Sequence, residues 1–132
     1  WAADGSYHAG SFIADAAEGF VFDSGLHWLR PLRMFLGKAL RVSAVAGRSL
    51  PQMRGPSMTQ ALICFESGVT AIFEAILAPG AISEQPFFCI QGTKAEVQID
   101  GFAGGARLFT VQDGKIMEED LNMGFSGAVG WD

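Results

Sequence analysis

The chain has 132 residues and a formal net charge of −5, with 49% hydrophobic and 17% charged residues. That length suits one domain with its own core, and the acidic balance argues against nucleic acid, whose phosphates demand clustered Lys and Arg. No apolar run reaches the roughly 20 residues of a membrane-spanning helix; the longest, around residues 69–79, holds Glu74.

Residues 1–20 are rich in Ala and Gly, with a strand expected over 6–13 and a turn over 15–19. His8 stands alone there, and a surface role is expected of it. Phe20, Val21 and Phe22 form a short β-prone run. Leu26, Leu29, Leu32, Phe35 and Leu36 then recur at three-and-four spacing, which predicts a helix. Asp23 or Ser24 suits its N-cap, and Gly37 stands where a helix-ending glycine belongs. Arg30, Arg33, Lys38 and Arg41 read as the wet side of this helix and its exit. Pro31 has no N–H for the carbonyl of His27, four residues earlier. Either the helix kinks there, or His27 lies on a loose first turn and the regular helix begins near Pro31.

From residue 40 the chain reads as β-structure. A strand over 40–46 is followed by a long connection, 47–57, with two prolines and two glycines. Strands over 58–65 and 69–77 form a hairpin about Glu66-Ser67-Gly68. Residues 79–86 read as a loop. Strands over 87–91 and 95–100 flank Gly92-Thr93-Lys94, and strands over 107–112 and 115–121 flank Asp113-Gly114, the strongest hairpin signal in the chain. In 95–100, Ala95, Val97 and Ile99 alternate with Glu96, Gln98 and Asp100, so that strand has one wet face. Strands 58–65 and 69–77 are apolar on both faces apart from Gln60 and Glu74, so their second face needs a cover. Cys64 and Cys89 lie in apolar runs and are expected as reduced core thiols. With only His8 and His27 beside them, a structural zinc is not expected. The fold class is α/β (α+β): one main helix packed on one face of an open, mainly antiparallel sheet of about six strands.

The candidate chemistry lies in Asp23-Ser24-Gly25-Leu26-His27. Positions i and i+4 share a helix face, and a carboxylate beside an imidazole favours the protonated ring. Such a histidine can give a proton to an oxygen that gains negative charge, or take one in reverse. On these residues alone, an N-cap Asp23 beside a half-buried surface His27 accounts for the pattern better than catalysis does. Trp28 suits either stacking on a sugar ring or core packing. Residues 101–105 are glycine-rich but lack GxGxxG spacing and read as a flexible connection.

The segment from Ala17 through Glu18-Gly19-Phe20-Val21-Phe22-Asp23-Ser24-Gly25-Leu26-His27 to Arg30 resembles the signature of the Gfo/Idh/MocA C-terminal domain: a glycine-rich turn, a short apolar strand, then Asp-x-Gly-x-His and a helix. Phe35-Leu36-Gly37 resembles that family's helix end. Phe65-Glu66-Ser67-Gly68-Val69 resembles its phenylalanine-x-x-glycine hairpin, and Ile90-Gln91-Gly92-Thr93-Lys94 its isoleucine-x-glycine-threonine hairpin. The resemblance implies that residues 1–132 are a truncated substrate-binding and oligomerisation domain whose N-terminal Rossmann domain lies outside this chain. The abrupt start at Trp1 and the glycine-rich residues 124–132 are read in that light. It also implies an NAD- or NADP-dependent dehydrogenase or reductase, cytoplasmic, acting on a sugar-, cyclitol- or polyol-like substrate. His27 would handle the proton, Asp23 would orient it or bind a substrate hydroxyl, and the open sheet face would form a homo-oligomer.

Two departures matter. Ala17-Glu18-Gly19 replaces three consecutive glycines, so Glu18 could reach substrate. Arg30, followed by Pro31, replaces an acid after the histidine, and a guanidinium can fork to a carboxylate or phosphate. Arg30 is thus expected either to bind an acidic group on the substrate or to lie in a surface ion pair. The same departures leave open a non-catalytic oligomerisation or regulatory module of the same fold.

Overall fold

A computed structural model describes residues 12–77, 86–99 and 105–121. The chain divides into two compact units, Trp1–Ile82 and Ser83–Asp132. The described part of the first opens on a single helical turn, α1 (Phe12–Asp15), followed by a π-helical turn, Val21–Gly25, that runs into α2 (Leu26–Leu36). A three-stranded antiparallel sheet follows, in the order β1 (Ala39–Gly47), β2 (Met58–Phe65), β3 (Thr70–Ile76). The second unit is a four-stranded antiparallel meander of β4 (Phe88–Gln91), β5 (Ala95–Ile99), β6 (Ala106–Gln112) and β7 (Lys115–Asp120). The α+β class and the antiparallel pairing agree with the sequence reading. The seven described strands, however, form two sheets of three and four rather than one of about six.

The first unit's core lies on one face of its sheet. Ala61, Ile63 and Phe65 of β2 and Phe73 and Ala75 of β3 are buried there with Phe20, Leu50, Met53 and Leu77. Trp28, Leu29, Leu32 and Leu36 of α2 pack against that cluster, as three-and-four spacing requires. The opposite face is open: Ile72 is 84% and Leu62 48% exposed. Directly paired residues share a face, and Ser43, Leu62 and Ile72 lie across β1, β2 and β3, as do Val45, Gln60 and Glu74.

The long connection after β1 is ordered by one side chain. Ser57 is fully buried. Its Oγ accepts the N–H groups of Ser49 (2.7 Å) and Leu50 (3.1 Å) and shares a proton with Ser49 Oγ (2.8 Å). Its backbone donates to Gly47 and accepts from Leu77. A buried hydroxyl placed this way satisfies backbone groups that the strands leave over.

Several local expectations change. Phe12 is helical, not the end of a strand, and residues 6–11 with His8 lie outside the described residues. The Phe20–Phe22 stretch is helical rather than extended. Neither Asp23 nor Ser24 caps α2, because the π turn feeds it without a break and Gly25 stands at the cap position with no side-chain bond. Pro31 sits inside α2, so the alternative in which the regular helix starts near Pro31 falls away. The segments expected as a loop (79–86), as a flexible connection (101–105) and as a glycine-rich end (124–132) fall wholly or largely outside the described residues. Gly37 ends α2 at φ 86°, as expected.

Both cysteines are free, but neither is buried: Cys64 is half-buried and Cys89 exposed. The alternation of β4 explains Cys89. It pairs with Gln98, on the wet face of β5, and its thiol donates to Glu96 (3.5 Å). Glu96 also accepts from Gln98 (2.8 Å) and Gln91 (3.2 Å), and those two amides, then the thiol, hold its carboxyl below the usual range. Partial desolvation, and then Glu96, push the Cys89 thiol up. The wet face of this strand is therefore a self-satisfied hydrogen-bond ladder rather than free solvent-facing polarity.

Candidate active site

The elements that position the candidate residues are tied by backbone contacts. The turn at residues 16–19 rests on the connection before β2: Phe20 N–H donates to Pro56 O (2.9 Å) and Arg54 N–H to Ala14 O (2.7 Å). At Gly19, φ is 74°, and a Cβ there would stand 2.1 Å from Pro56 O. At Gly55 a Cβ would stand 2.5 Å from Ala16 O. Two glycines thus let two backbones touch, and the π turn starts from a fixed point. At its other end Gly25 is buried, and a Cβ there would lie 2.7 Å from a Val21 methyl and 3.3 Å from the Phe73 ring. The far end of α2 is held as well: Ser67 Oγ donates to Leu36 O (3.2 Å), and Glu66 N–H to Lys38 O (2.9 Å).

Asp23 lies half-buried within the π turn, and its carboxylate accepts Ser24 Oγ–H (3.0 Å). His27 is exposed on the first turn of α2. The two belong to one unbroken helical run, four residues apart across the junction of the π turn and α2. No hydrogen bond or ion pair joins them directly among the described residues. Glu18 is exposed in the turn at residues 16–19, and Trp28 is half-buried against the core cluster. Arg30 is exposed and lines an open groove of about 600 Å³ with Leu26, Leu29, Arg33, Met34, Gly37 and Lys38.

Chemically, α2 offers solvent an imidazole, one turn after a carboxylate already oriented by a hydroxyl. An exposed histidine at such a point can donate or accept a proton. The π turn escaped the sequence reading. Such turns occur often at functional sites because they rotate side chains out of ordinary helical register. Its only signal is Gly25, the one residue type that lets the turn approach Phe73.

All described strand pairs are antiparallel, so the parallel strand, glycine turn and helix that seat a dinucleotide's phosphates in a doubly wound fold do not occur among the described residues. No helix among the described residues is long and apolar enough to cross a membrane.

Residues 1–98 match the GFO/IDH/MocA C-terminal domain family. No curated relative matches the chain. Among solved structures, a putative NADPH-dependent oxidoreductase from Desulfitobacterium hafniense aligns at 17% identity and TM-score 0.72, over 88% of this chain and 37% of that one. An NAD-binding oxidoreductase from Klebsiella pneumoniae aligns at 19% identity and TM-score 0.66, over 80% and 31%. An oxidoreductase from Agrobacterium radiobacter, solved with NAD+, L-tartaric acid and magnesium, aligns at 22% identity and TM-score 0.63, over 83% and 32%. The chain therefore spans about a third of the length of these structures, and at such identities the likeness is one of fold.

Proposed function

The chain belongs to the GFO/IDH/MocA family, as its C-terminal domain, and from that premise we propose that it forms the substrate side of an NAD(P)-dependent oxidoreductase acting on a sugar-, cyclitol- or polyol-like CH–OH or C=O group. The cofactor is held by the family's Rossmann domain, and bound there it supplies or accepts hydride. The part of this chain is the proton: His27 donates it to the substrate oxygen in reduction and removes it in oxidation. Asp23, with its carboxylate set by Ser24, binds a substrate hydroxyl or steadies the imidazolium across the intervening turn. Arg30 and Glu18 contact substrate from either side of this run. The observation that carries the reading is the exposed imidazole on the first turn of α2, directly after a π turn pinned at Gly19 and Gly25.

The direct experiment supplies the full-length protein with NAD+ or NADP+ and a panel of polyols, cyclitols and sugar acids, and follows the reduced nicotinamide. Substrate-dependent reduction of one cofactor is expected. Cofactor binding without turnover on any member would favour a regulatory module of the same fold.

We also propose that the open face of the first sheet, centred on Ile72 and Leu62, is covered by a second copy of the chain. Exposed Ile72, Leu62 and Val45 lie together on that face beside the Gln60–Glu74 pair, and large apolar side chains grouped in the open favour burial against a partner. Ile72→Lys in the full-length protein is expected to sediment as a smaller species than wild type; unchanged sedimentation would remove this face from any assembly.

A further inference from the structure

We infer that the groove along the outer side of α2 binds the anionic end, a carboxylate or phosphate, of an organic substrate, with Arg33 sharing the charge with Arg30. This rests on the proposed function only in placing substrate on this side of α2; the binding of an anion is separable from it. Four observations carry the inference. Arg30 and Arg33 stand three residues apart and line the same groove, a spacing that puts their Cβ atoms about 5–6 Å apart, close enough for two guanidiniums to hold one anion. Both are exposed, and neither makes an ion pair among the described residues. Carboxylates are not scarce, since the chain has 14 acids to 9 bases, and Lys38 at the end of the groove does pair, with Glu66 at 3.0 Å. Apolar side chains flank the cations along the helix: Leu26, one turn before Arg30, is 49% exposed and Met34, one turn after it, 74%. That combination suits a carbon skeleton ending in an anion better than a bare ion. At the far end, nothing lies within 4 Å of where a Gly37 Cβ would stand, so the groove is not closed there.

A plainer account places Arg33 in the last turn of α2 to offset the helix dipole. It explains one charge in the last turn but neither Arg30, which lies mid-helix, nor the apolar side chains exposed beside it. His27, three residues before Arg30, continues the same stripe. A small molecule whose anion sits on the two arginines would thus extend along α2 toward the imidazole.

The test uses the full-length protein and two probes, inorganic phosphate and malonate, titrated calorimetrically at low salt. Saturable binding is expected for wild type. Arg30→Ala and Arg33→Ala should each weaken it about tenfold, as for the loss of one charge-assisted contact, and the double variant should abolish it. Arg30→Lys with Arg33→Lys should fall between, keeping charge but losing the fork. Lys94→Ala, in an exposed turn of the other unit, should bind as wild type. All positions are exposed, and melting curves check that each variant folds. No saturable binding, binding unaffected by Arg33→Ala, or equal weakening by Lys94→Ala would each overturn the inference. His27→Ala separates the two readings: arginine-dependent binding together with undiminished turnover would sink the proton role and leave the anion site standing.

Discussion

His27→Ala in the intact enzyme is expected to lower kcat by about 10²–10⁴-fold, the usual worth of a positioned general acid or base, while leaving the melting temperature nearly unchanged. The two halves of that expectation have separate grounds. His27 is exposed and lies outside the buried cluster that holds α2 to the sheet, and substitutions at such positions usually shift stability within about 0.5 kcal/mol. The rate effect follows from the need to neutralise the alkoxide that hydride addition creates, on an oxygen that this face of α2 would meet. Steady-state turnover of wild type and variant, with melting curves alongside, checks both halves. A fall of under about threefold would mean that the proton travels another way.

Gly19→Ala is expected to cost on the order of 3–5 kcal/mol, among the largest effects of any single substitution here. Two terms add. A left-handed φ of 74° strains any residue with a Cβ, by about 1–2 kcal/mol. The added carbon would also stand 2.1 Å from the Pro56 carbonyl oxygen and 2.7 Å from its nitrogen, and neither backbone atom can rotate away. Relief requires parting the turn at residues 16–19 from the connection before β2, with loss of the Phe20-to-Pro56 bond that starts the π turn. Gly114→Ala serves as the control. Its φ is also 74°, but nothing lies within 4 Å, so only the strain of about 1–2 kcal/mol is expected. Urea denaturation of both variants decides the matter. Equal losses would show that the close approach at Gly19 contributes nothing.

Most of the local architecture was legible because it is written in short-range chemistry. The three-and-four spacing of Leu26, Leu29, Leu32, Phe35 and Leu36 marked α2, and Leu29, Leu32 and Leu36 do pack on the core, whereas Leu26 and Phe35 of the same set are exposed. Asp113-Gly114 marked its hairpin, and both residues do take positive φ, 50° and 74°. What failed was set at a distance. Phe20, Val21 and Phe22 have strand propensity, but the bond that Phe20 N–H donates to the Pro56 carbonyl and the packing of Gly25 on Phe73 hold them in a helical turn; tertiary contact overrode a weak local preference. The assignment of strands to two sheets depends on pairing between segments, about which the period-two alternation of each strand is silent. Cys89 was misjudged for a simpler reason. Its neighbours Phe88 and Ile90 made the run look buried, although alternation alone puts Cys89 on the side of Gln98 and Glu96.

The candidate site divides in the same way. The i, i+4 relation of Asp23 and His27 could be read directly, and both lie on one helical run. That Asp23 bonds to Ser24 rather than to His27 could not be read, because it depends on the wider π turn. Arg33 was legible only as part of a wet helix side; that it lines one groove with Arg30 emerges once Leu26, Met34 and Gly37 are placed around it.

The central claim is that the imidazole one turn beyond Asp23 carries the reaction's proton, and rescue of His27→Ala by free imidazole in the intact protein tests it most directly. Added imidazole should restore turnover to the variant in proportion to its concentration while leaving wild type unchanged. A folded, cofactor-binding variant that gains nothing from imidazole would assign the proton to another group.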